Sequence, residues 1–239
     1  MDGVFEQKIT ITEDYFDKNG NLNPAIILKT FQFLADEHAI ILKCAFSDLI
    51  KKGLLWVLTS VSYKLKGEIK LGDEIRAITQ PRELKGIRYK RDFAFYNQEK
   101  TVLLGTSEWV VIDKESRRLT RTANVYPKDL VILPPLYLEE VKKLAKLTDY
   151  ACPYDIVPTK LDIDRNNHVN NVKYVEFALK ALNYVPKHDY FQIDFIKETL
   201  LGESLKIFTQ KKGGNVLIEG LKNSGRAFSV IFENANSNE

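Results

Sequence analysis

The chain repeats itself, and this repeat limits its possible folds more than any other feature of the sequence. The segment LGDEIRAITQ at 71–80 recurs as LGESLKIFTQ at 201–210, an offset of 130 residues. The segment DKNGNLNP at 17–24 is matched by DRNNHVNN at 164–171, an offset of 147 residues. Ordered recurrence of this kind is typical of duplicated structural units. The 239 residues therefore predict two modules of about 100 residues each, with a longer stretch between the two blocks in the first copy.

Both copies predict the same order of elements. A strand-like segment (5–12 and 154–159) leads into a polar loop rich in Asn and Asp, and a helix follows. Asn23 and Asn170 lie where N-caps belong, and Pro24 is a preferred first helical residue. Apolar residues three or four apart predict one buried stripe on each helix, with His38 on the first stripe: Ile27, Phe31, Leu34 and Ile41 in the first copy, and Val172, Val175, Leu179 and Leu182 in the second.

Strand-like segments after each helix set the fold class. Turn residues separate four predicted strands in each copy, at 56–65, 74–79, 89–96 and 101–112 and at 190–196, 204–210, 215–221 and 226–233. One helix and a run of antiparallel strands predict an α+β fold in which each sheet wraps a helix. We expect an N-terminal module at 1–125, a packed linker at 126–150 and a C-terminal module at 151–239. Within the linker a short helical pattern is formed by Val141, Leu144, Ala145 and Thr148.

Composition and motifs exclude several classes of function. With 44% hydrophobic and 28% charged residues the chain can bury a core, and its longest apolar runs are far shorter than the roughly 18 residues of a membrane span. A net charge of +3 is too small to indicate a nucleic-acid partner. No dinucleotide-binding, Walker or nucleophile-elbow motif occurs, and neither the three histidines nor Cys44 and Cys152 have metal-ligand spacing. We therefore expect neither a metal nor a nucleotide cofactor.

The loop at 164–168 carries the strongest candidate site. Asp164, Asn166 and His168 occupy alternate positions just before a predicted helix, and an extended segment would send them to the same side. Backbone N–H groups of Val169 and Asn170, near the positive end of the helix, are candidates to bind a carbonyl oxygen that gains negative charge. Such a set suits hydrolysis of an acyl group. Asx turns and helix capping explain the motif equally well when it is taken alone.

The repeat helps to separate these two interpretations. The first copy keeps Asp17 and Asn19 but has Asn21 where the second copy has His168. Turn formation alone would not require this difference, and histidine is the side chain best able to exchange protons near neutral pH. The pattern therefore indicates one working site and one degenerate copy.

Other titratable residues are less informative. Glu198 aligns with Glu68 at offset 130 and is a candidate second acid–base residue facing the His168 loop. From the residues alone, an exposed surface carboxylate is the more probable role of Glu198. His38, on an apolar stripe, is expected to be a core or pocket-lining residue, and His188 to lie on a loop surface.

The second loop and several other blocks resemble a known family. Residues 164–174, DRNNHVNNVKY, closely resemble the signature of the acyl-acyl carrier protein thioesterases, the plant and bacterial enzymes that release fatty acids from acyl carrier protein. Further blocks with this resemblance occur in family order: LWVLT at 55–59, Arg91-Asp92, Trp109-Val110 and SRRL at 116–119. The resemblance extends from about residue 4 to residue 233.

This resemblance implies a tandem hotdog fold and thioester hydrolysis without a metal or cofactor. Position by position, it implies that the catalytic residues are Asp164, Asn166, His168 and Glu198. The plant enzymes have Cys after this Glu, whereas this chain has Thr199, which argues against a cysteine nucleophile. The resemblance also implies that the first module contributes much of the acyl-chain pocket. With no plastid-type transit segment before Val4, a bacterial cytoplasm is the expected location.

Several alternatives stay open at this point. Water activated by Glu198 and His168 would attack the thioester, or a carboxylate of Asp164 or Glu198 would attack directly and form an anhydride. The rival functions are an acyl-CoA thioesterase of the same fold, an enoyl-thioester hydratase and a non-catalytic acyl-carrier-binding protein. The expected partner is the acidic acyl carrier protein, and a homodimer is possible. Basic residues that would meet such a carrier, or form an ordinary solvated face, are Arg117, Arg118, Arg121, Lys142, Lys143 and Lys146.

Overall fold

A computed structural model describes residues 1–120, 125–137 and 141–234. The chain forms two compact units. Unit 1 contains Met1–Thr12 and the described residues of Lys29–Glu140, and unit 2 contains Glu13–Leu28 and the described residues of Val141–Glu239. The polar loop of the first copy thus belongs to unit 2. The module limits expected from the sequence stay a prediction.

Unit 1 is an antiparallel five-stranded sheet with a long helix. In chain order the elements are β1 (Phe5–Thr10), α1 (Pro24–Ile41, in unit 1 from Lys29 onward), α2 (Phe46–Ile50), β2 (Leu54–Leu65), β3 (Glu74–Pro81), β4 (Tyr89–Asn97) and β5 (Lys100–Asp113). The strand order is β1-β3-β4-β5-β2. Apolar, β-branched and aromatic residues bounded by turn residues favour these strands, and most residues of β4 and β5 are buried.

The core of unit 1 forms where α1 meets the sheet. The ring of Phe31 on α1 stacks on Phe93 of β4 with ring centres 4.0 Å apart, and it meets Tyr63 and Phe95 edge-on. Gly105 of β5 makes this approach possible, since a Cβ there would lie 2.6 Å from the Phe31 ring. The glycine therefore sets how closely the helix packs on the sheet.

Unit 2 repeats this architecture. Its elements are β6 (Tyr154–Ile156), α3 (Asn171–Leu182), β7 (Tyr190–Phe195), β8 (Leu205–Lys212), β9 (Asn215–Lys222) and β10 (Gly225–Glu233). The strand order β6-β8-β9-β10-β7 is that of unit 1, strand for strand. Tyr174 of α3 packs against Phe195 and Phe228 of the sheet. The predicted α+β, tandem hotdog fold is confirmed.

The strand register explains the two offsets of the repeat. Ile9 pairs with Ile75 in unit 1, and Ile156 pairs with Leu205 in unit 2. From the first pair to the second, the first residue moves by 147 positions and its partner by 130, so equivalent strand pairs combine the two offsets. Three differences in length make the first copy longer than the second. Helix α1 has 18 residues and α3 has 12, β2 has 12 residues and β7 has 6, and the connection between helix and strand spans 42–53 against 183–189. Both caps are confirmed, because Asn23 Oδ1 accepts from Ala25 N and Asn170 Oδ1 from Val172 N.

The structure corrects three expectations. The short helix predicted at 141–148 is wrong: this segment is irregular, because the side chains of Gln192 and Gln210 accept the backbone N–H groups of Lys142 and Thr148. Leu147 in the same segment is buried, so this part of the chain packs against the core despite its irregular backbone.

Two further corrections concern single positions. Ile41, the last residue of α1, is half exposed, whereas Leu42 just after the helix is fully buried, so the assignment of Ile41 to the buried stripe is wrong. His188 is buried against the edge of Phe232, with Nδ1 2.8 Å from the carbonyl oxygen of Pro186, so its assignment to a loop surface is wrong. Burial lowers the pKa of His188. In the described part of the chain no helix is long and apolar enough to cross a membrane.

Candidate active site

The loop that carries His168 is a tight turn rather than an extended segment. Asp164 Oδ1 accepts hydrogen bonds from the backbone N–H groups of Asn166 (2.8 Å) and His168 (3.3 Å). The N–H of Asp164 donates to the carbonyl oxygen of His168 at 2.8 Å, and Asn167 adopts a left-handed conformation with φ 63°. The expected convergence of alternate side chains on one extended face is therefore wrong. Asp164 forms an Asx turn, and its carboxylate acts on the backbone of the loop.

The turn brings His168 beside the segment that contains Glu198. His168 forms an isolated β-bridge with Leu200, and the N–H of Val169 donates to the carbonyl oxygen of Thr199 at 2.9 Å. These backbone contacts place His168 Nε2 3.1 Å from Glu198 Oε2, with side-chain exposures of 20% and 42%. The pair therefore lies within hydrogen-bonding distance and in reach of a bound molecule, which are the first requirements for acid–base chemistry.

Thr199 lies on the opposite side of its segment from Glu198. Its side chain is fully buried, and its N–H donates to the hydroxyl oxygen of Tyr174 at 2.9 Å. Neighbouring residues of an extended segment point to opposite sides, so one is exposed and the next lies in the core. The side chain at position 199 is therefore buried, whereas the side chain of Glu198 is accessible.

The predicted oxyanion donors are already engaged. The N–H of Val169 donates to Thr199, and the N–H of Asn170 donates to the carbonyl oxygen of Asp162 at 2.8 Å. Binding of an oxyanion by either group would require these hydrogen bonds to open, so the geometry does not support that prediction. The sequence could not reveal this, because both acceptors are backbone carbonyls.

Two other polar groups of the loop have no partner among the described residues. They are the side-chain amide of Asn166, which is half-buried, and the backbone N–H of Asn171 at the first position of α3. The first N–H groups of a helix have no acceptor within the helix and are oriented to bind negative charge. Both groups are available to a ligand at this end of the helix.

The loop of the first copy forms the same turn but presents Asn21 in a structural contact. Asp17 Oδ1 accepts from the N–H groups of Asn19 and Asn21, each at 2.9 Å, and Gly20 is left-handed with φ 77°. The side chain of Asn21 donates to the carbonyl oxygen of Val185 at 3.1 Å, which is a structural contact. Partial burial raises the pKa of Asp17, but the hydrogen bonds from Asn21, Asn19 and Val185 lower it by more.

The carboxylate that corresponds to Glu198 is also present in the first copy. Glu68 is 76% exposed and forms an ion pair with Lys70 at 3.0 Å. The first copy therefore keeps the turn and the carboxylate but has no imidazole at position 21, as the sequence comparison of the two copies predicted.

The buried polar cluster around His38 lies in unit 1. Arg91, itself buried, donates to His38 Nδ1 at 3.0 Å and to the hydroxyl of Thr79 at 3.3 Å. Burial, together with the neighbouring Arg91 charge, lowers the pKa of His38 to about 4. His38 is thus a neutral core residue. Sequence reasoning did not identify Arg91 as its partner, although an arginine at a buried position of a strand was a visible signal.

Of the basic residues expected to face an acidic carrier, Lys142 has partners within unit 2. Lys142 forms an ion pair with Glu233 and lies over the ring of Tyr190, whereas Arg121 lies outside the described residues. Within 1–120, 125–137 and 141–234, no group of three or more His, Cys, Asp or Glu side chains could hold a metal ion.

Comparison with known proteins identifies similar chains. The sequence model of the acyl-ACP thioesterase N-terminal domain matches residues 2–129, and that of the acyl-ACP thioesterase C-terminal domain matches residues 149–234. The palmitoyl-acyl carrier protein thioesterases from chloroplasts of Arabidopsis thaliana and Gossypium hirsutum are 28% and 29% identical over 143 and 146 residues. These matches cover 56% and 57% of this chain and 35% of each relative, so the chain matches about a third of their length.

Solved structures share the fold across nearly the whole chain. An acyl-ACP thioesterase from Bacteroides thetaiotaomicron has a TM-score of 0.85 at 18% identity, and the match covers 97% of each chain. The 12:0-ACP thioesterase from Umbellularia californica has a TM-score of 0.82 at 18% identity, with 96% of each chain covered. At this level of identity the likeness concerns the fold.

Proposed function

Because the chain belongs to the acyl-ACP thioesterase family, we propose that it hydrolyses the thioester of a fatty acyl group on acyl carrier protein. The products are a free fatty acid and the free thiol of the carrier, so the reaction ends fatty acid synthesis on that carrier. One observation supports this proposal above others: His168 Nε2 and Glu198 Oε2 lie 3.1 Å apart in the half of the chain that holds the family signature. An exposed imidazole–carboxylate pair suits the activation of water.

In the proposed reaction, water attacks the thioester carbonyl carbon. The His168–Glu198 pair orients the water and takes its proton as the new C–O bond forms. The C–S bond then breaks, and the leaving thiolate receives a proton. A thiolate is a stable leaving group, so this step needs little help from a dedicated acid. Asp164 contributes as a positioning residue, because its carboxylate holds the turn that carries His168.

The negative charge on the carbonyl oxygen needs hydrogen-bond donors in the transition state. The side-chain amide of Asn166 and the N–H of Asn171 are the groups we assign to this task, since the amides of Val169 and Asn170 donate within the protein. Donors fixed before the reaction stabilise developing charge without reorganisation. We therefore place Asn166 on the substrate rather than on His168.

A direct attack by a carboxylate is the alternative route to the same products. Glu198 is the better candidate for it, because Asp164 Oδ1 already accepts two backbone hydrogen bonds. Single-turnover hydrolysis in heavy-oxygen water separates the two routes. Label in the side chain of Glu198 requires an anhydride that water opens at the Glu198 carbonyl, and this result would rule out attack by water on the thioester itself.

The activity itself is tested with a panel of acyl chains on acyl carrier protein and on coenzyme A, with free fatty acid measured. We expect hydrolysis of the carrier thioesters, and a loss of kcat on the order of 100-fold or more in His168→Asn and in Glu198→Ala. His168→Asn copies the first loop and should fold normally. Glu68→Ala is the matched control, because Glu68 is the exposed counterpart of Glu198, and it should leave kcat unchanged.

Other outcomes of this panel would replace the proposal. Faster turnover of coenzyme A thioesters would assign an acyl-CoA thioesterase. Hydration of an enoyl thioester without release of free acid would assign a hydratase. If the carrier binds but no thioester is hydrolysed, the chain is an acyl-carrier-binding protein.

The bacterial cytoplasmic location and a homodimer stay predictions. Cell fractionation with detection of the chain tests the first. Size-exclusion chromatography with light scattering tests the second, where a mass near twice 27.5 kDa would support a homodimer and a mass near 27.5 kDa would contradict it.

A further inference from the structure

The turn that follows Glu198 is held by a lysine from another strand. Lys222, the last residue of β9, donates from Nζ to the carbonyl oxygen of Glu198 at 2.5 Å and to Glu203 Oε2 at 2.8 Å. The same carboxylate oxygen of Glu203 accepts the N–H of Leu200 at 2.8 Å. One ammonium group and one carboxylate therefore fix the backbone at residue 198 and at residue 200.

The lysine of this arrangement is less exposed than that of an ordinary surface ion pair. The side chain of Lys222 is only 11% exposed, and its donors go to two different acceptors. The hydrogen bond from Lys222 lowers the pKa of Glu203, and the N–H of Leu200 and the nearby His168 contribute in the same direction. The hydrogen bond between Lys222 and Glu203 joins two ionised groups, and such hydrogen bonds are stronger than those between neutral groups.

The first copy has the turn but not the lysine. Lys70 N donates to Asp73 Oδ2 at 2.8 Å, as Leu200 N donates to Glu203. The register of the following hairpin pairs Asn97 with Lys100 as it pairs Lys222 with Gly225, so Asn97 holds the position of Lys222. Turn formation therefore requires only the capping carboxylate. The cation occurs in the copy that also has His168.

The position of Glu198 next to His168 depends on the backbone that carries it. Its side chain is 42% exposed, and a carboxylate free to move into solvent would spend little time next to His168. On the far side of the peptide bond, Thr199 is anchored by Tyr174 and Val169. Lys222 supplies the anchor on the carbonyl of Glu198 itself.

We propose that Lys222 and Glu203 are positioning residues that hold Glu198 at hydrogen-bonding distance from His168. This inference rests on the proposed function, in which the two side chains act together on water. It assigns to Lys222 no contact with the substrate. Loss of the Lys222 ammonium group should therefore lower kcat more than it changes substrate binding.

The test uses the full chain with Lys222→Met, Lys222→Arg and Glu203→Gln. Methionine keeps most of the buried stem of Lys222 and removes its donors. We expect kcat for an acyl carrier protein thioester to fall about 10- to 100-fold in Lys222→Met, with KM changed by less than about twofold. Lys222→Arg should recover most of the lost kcat, and Glu203→Gln should show a smaller loss. Lys70→Met, in the corresponding turn of unit 1, is the matched control and should behave as wild type.

A second measurement does not depend on activity. Crystal structures of the wild type and Lys222→Met report the distance from His168 Nε2 to Glu198 Oε2, which should lengthen beyond 3.5 Å in the variant, and melting temperatures confirm that each variant folds. Unchanged kcat or an unchanged distance in a folded Lys222→Met protein would overturn the inference. An inactive wild type would instead refute the proposed function, and the distance would still decide the role of Lys222.

Discussion

At the scale of single residues, Asp164 and Asp17 each hold a loop in the same turn. The two loops differ in the side chain that the turn presents. Each carboxylate accepts two backbone N–H groups of its own loop. In the second copy the loop places His168, and in the first it presents Asn21 to Val185. Asp164, the first residue of the motif, therefore acts on the proposed chemistry through the position of His168 and not by contact with the substrate.

We expect Asp164→Ala to lower both stability and activity. The loss of two hydrogen bonds to a charged acceptor should reduce the free energy of unfolding by about 1–2 kcal/mol, and the displaced His168 should reduce kcat. Urea unfolding and fatty acid release measure the two effects. Asp17→Ala is the control, with a similar loss of stability and little change in kcat.

The conservative variant Asp164→Asn separates positioning from charge. Its side-chain oxygen can still accept the N–H groups of Asn166 and His168, so activity should be largely kept. If a folded Asp164→Asn protein were as inactive as Asp164→Ala, the carboxylate charge itself would be required, and the assignment of Asp164 as a positioning residue would be wrong.

The lowered pKa of His38 leads us to expect that the stability of the chain depends on pH. The pKa of His38 is about 4 in the folded chain, against an ordinary value of 6.5 when the chain is unfolded. Between these values the unfolded chain takes up a proton that the folded chain does not, so stability should fall as the pH decreases from about 6.5 to about 4. The fall should amount to about 1–3 kcal/mol.

Urea unfolding at several pH values measures this effect. Carboxylates titrate in the same interval, so the informative quantity is the difference between wild type and His38→Gln, whose side-chain oxygen can still accept from Arg91. We expect the variant to be less sensitive to pH. Parallel profiles for the two proteins would contradict the assignment of a neutral, buried His38.

At the scale of elements, Gly105 and Phe31 determine how α1 packs on the sheet of unit 1. Gly105→Ala places a Cβ 2.6 Å from the Phe31 ring, so the ring or the strand must shift. We expect a loss of about 1–3 kcal/mol in the free energy of unfolding.

A double-mutant cycle tests whether the cost comes from this contact. Phe31→Leu shortens the side chain, so the pair Gly105→Ala and Phe31→Leu should lose less stability than the sum of the two single changes. Strictly additive losses would place the strain elsewhere.

The elements differ in how far the sequence predicts them. Strands such as β4 and β9 follow from strand-like segments bounded by turn residues, and α3 follows from its apolar stripe and from the cap at Asn170, because these signals lie within or beside the element itself. Helix α2 was not predicted, since five residues carry too little periodicity, although Asp48 caps it by accepting the N–H of Ala45. The segment at 141–148 was predicted as a helix because its apolar spacing is helical, but glutamines distant in sequence bind its backbone.

The candidate site, like the elements, is predicted from the sequence only as far as its signals are local. The residue types and the repeat pointed to His168, whereas the assignment of Glu198 came from the family resemblance, since the residues alone favoured an exposed surface carboxylate. Their distance of 3.1 Å depends on a turn at Asn167 and on pairing with Thr199, which are properties of the folded backbone. The engaged amides of Val169 and Asn170, and the support from Lys222, also depend on contacts between segments far apart in the chain.

At the scale of the whole molecule, the chain is two hotdog units with the same strand order and different tasks. Family models match both halves, while the imidazole, its carboxylate partner and Lys222 occur together in unit 2. The first copy keeps the turn geometry and the carboxylate in other structural roles. Duplication therefore preserved the scaffold in both halves while the polar side chains diverged.

The identical turns at Asp17 and Asp164 have a consequence for how such a chain evolves. The codons for asparagine and histidine differ only at their first base, so a single transversion converts the residue of one loop into that of the other. Neither residue is needed to close the turn, because the aspartate does that. Reactivity at this position can thus be gained or lost in one mutational step, without passing through an intermediate that fails to fold.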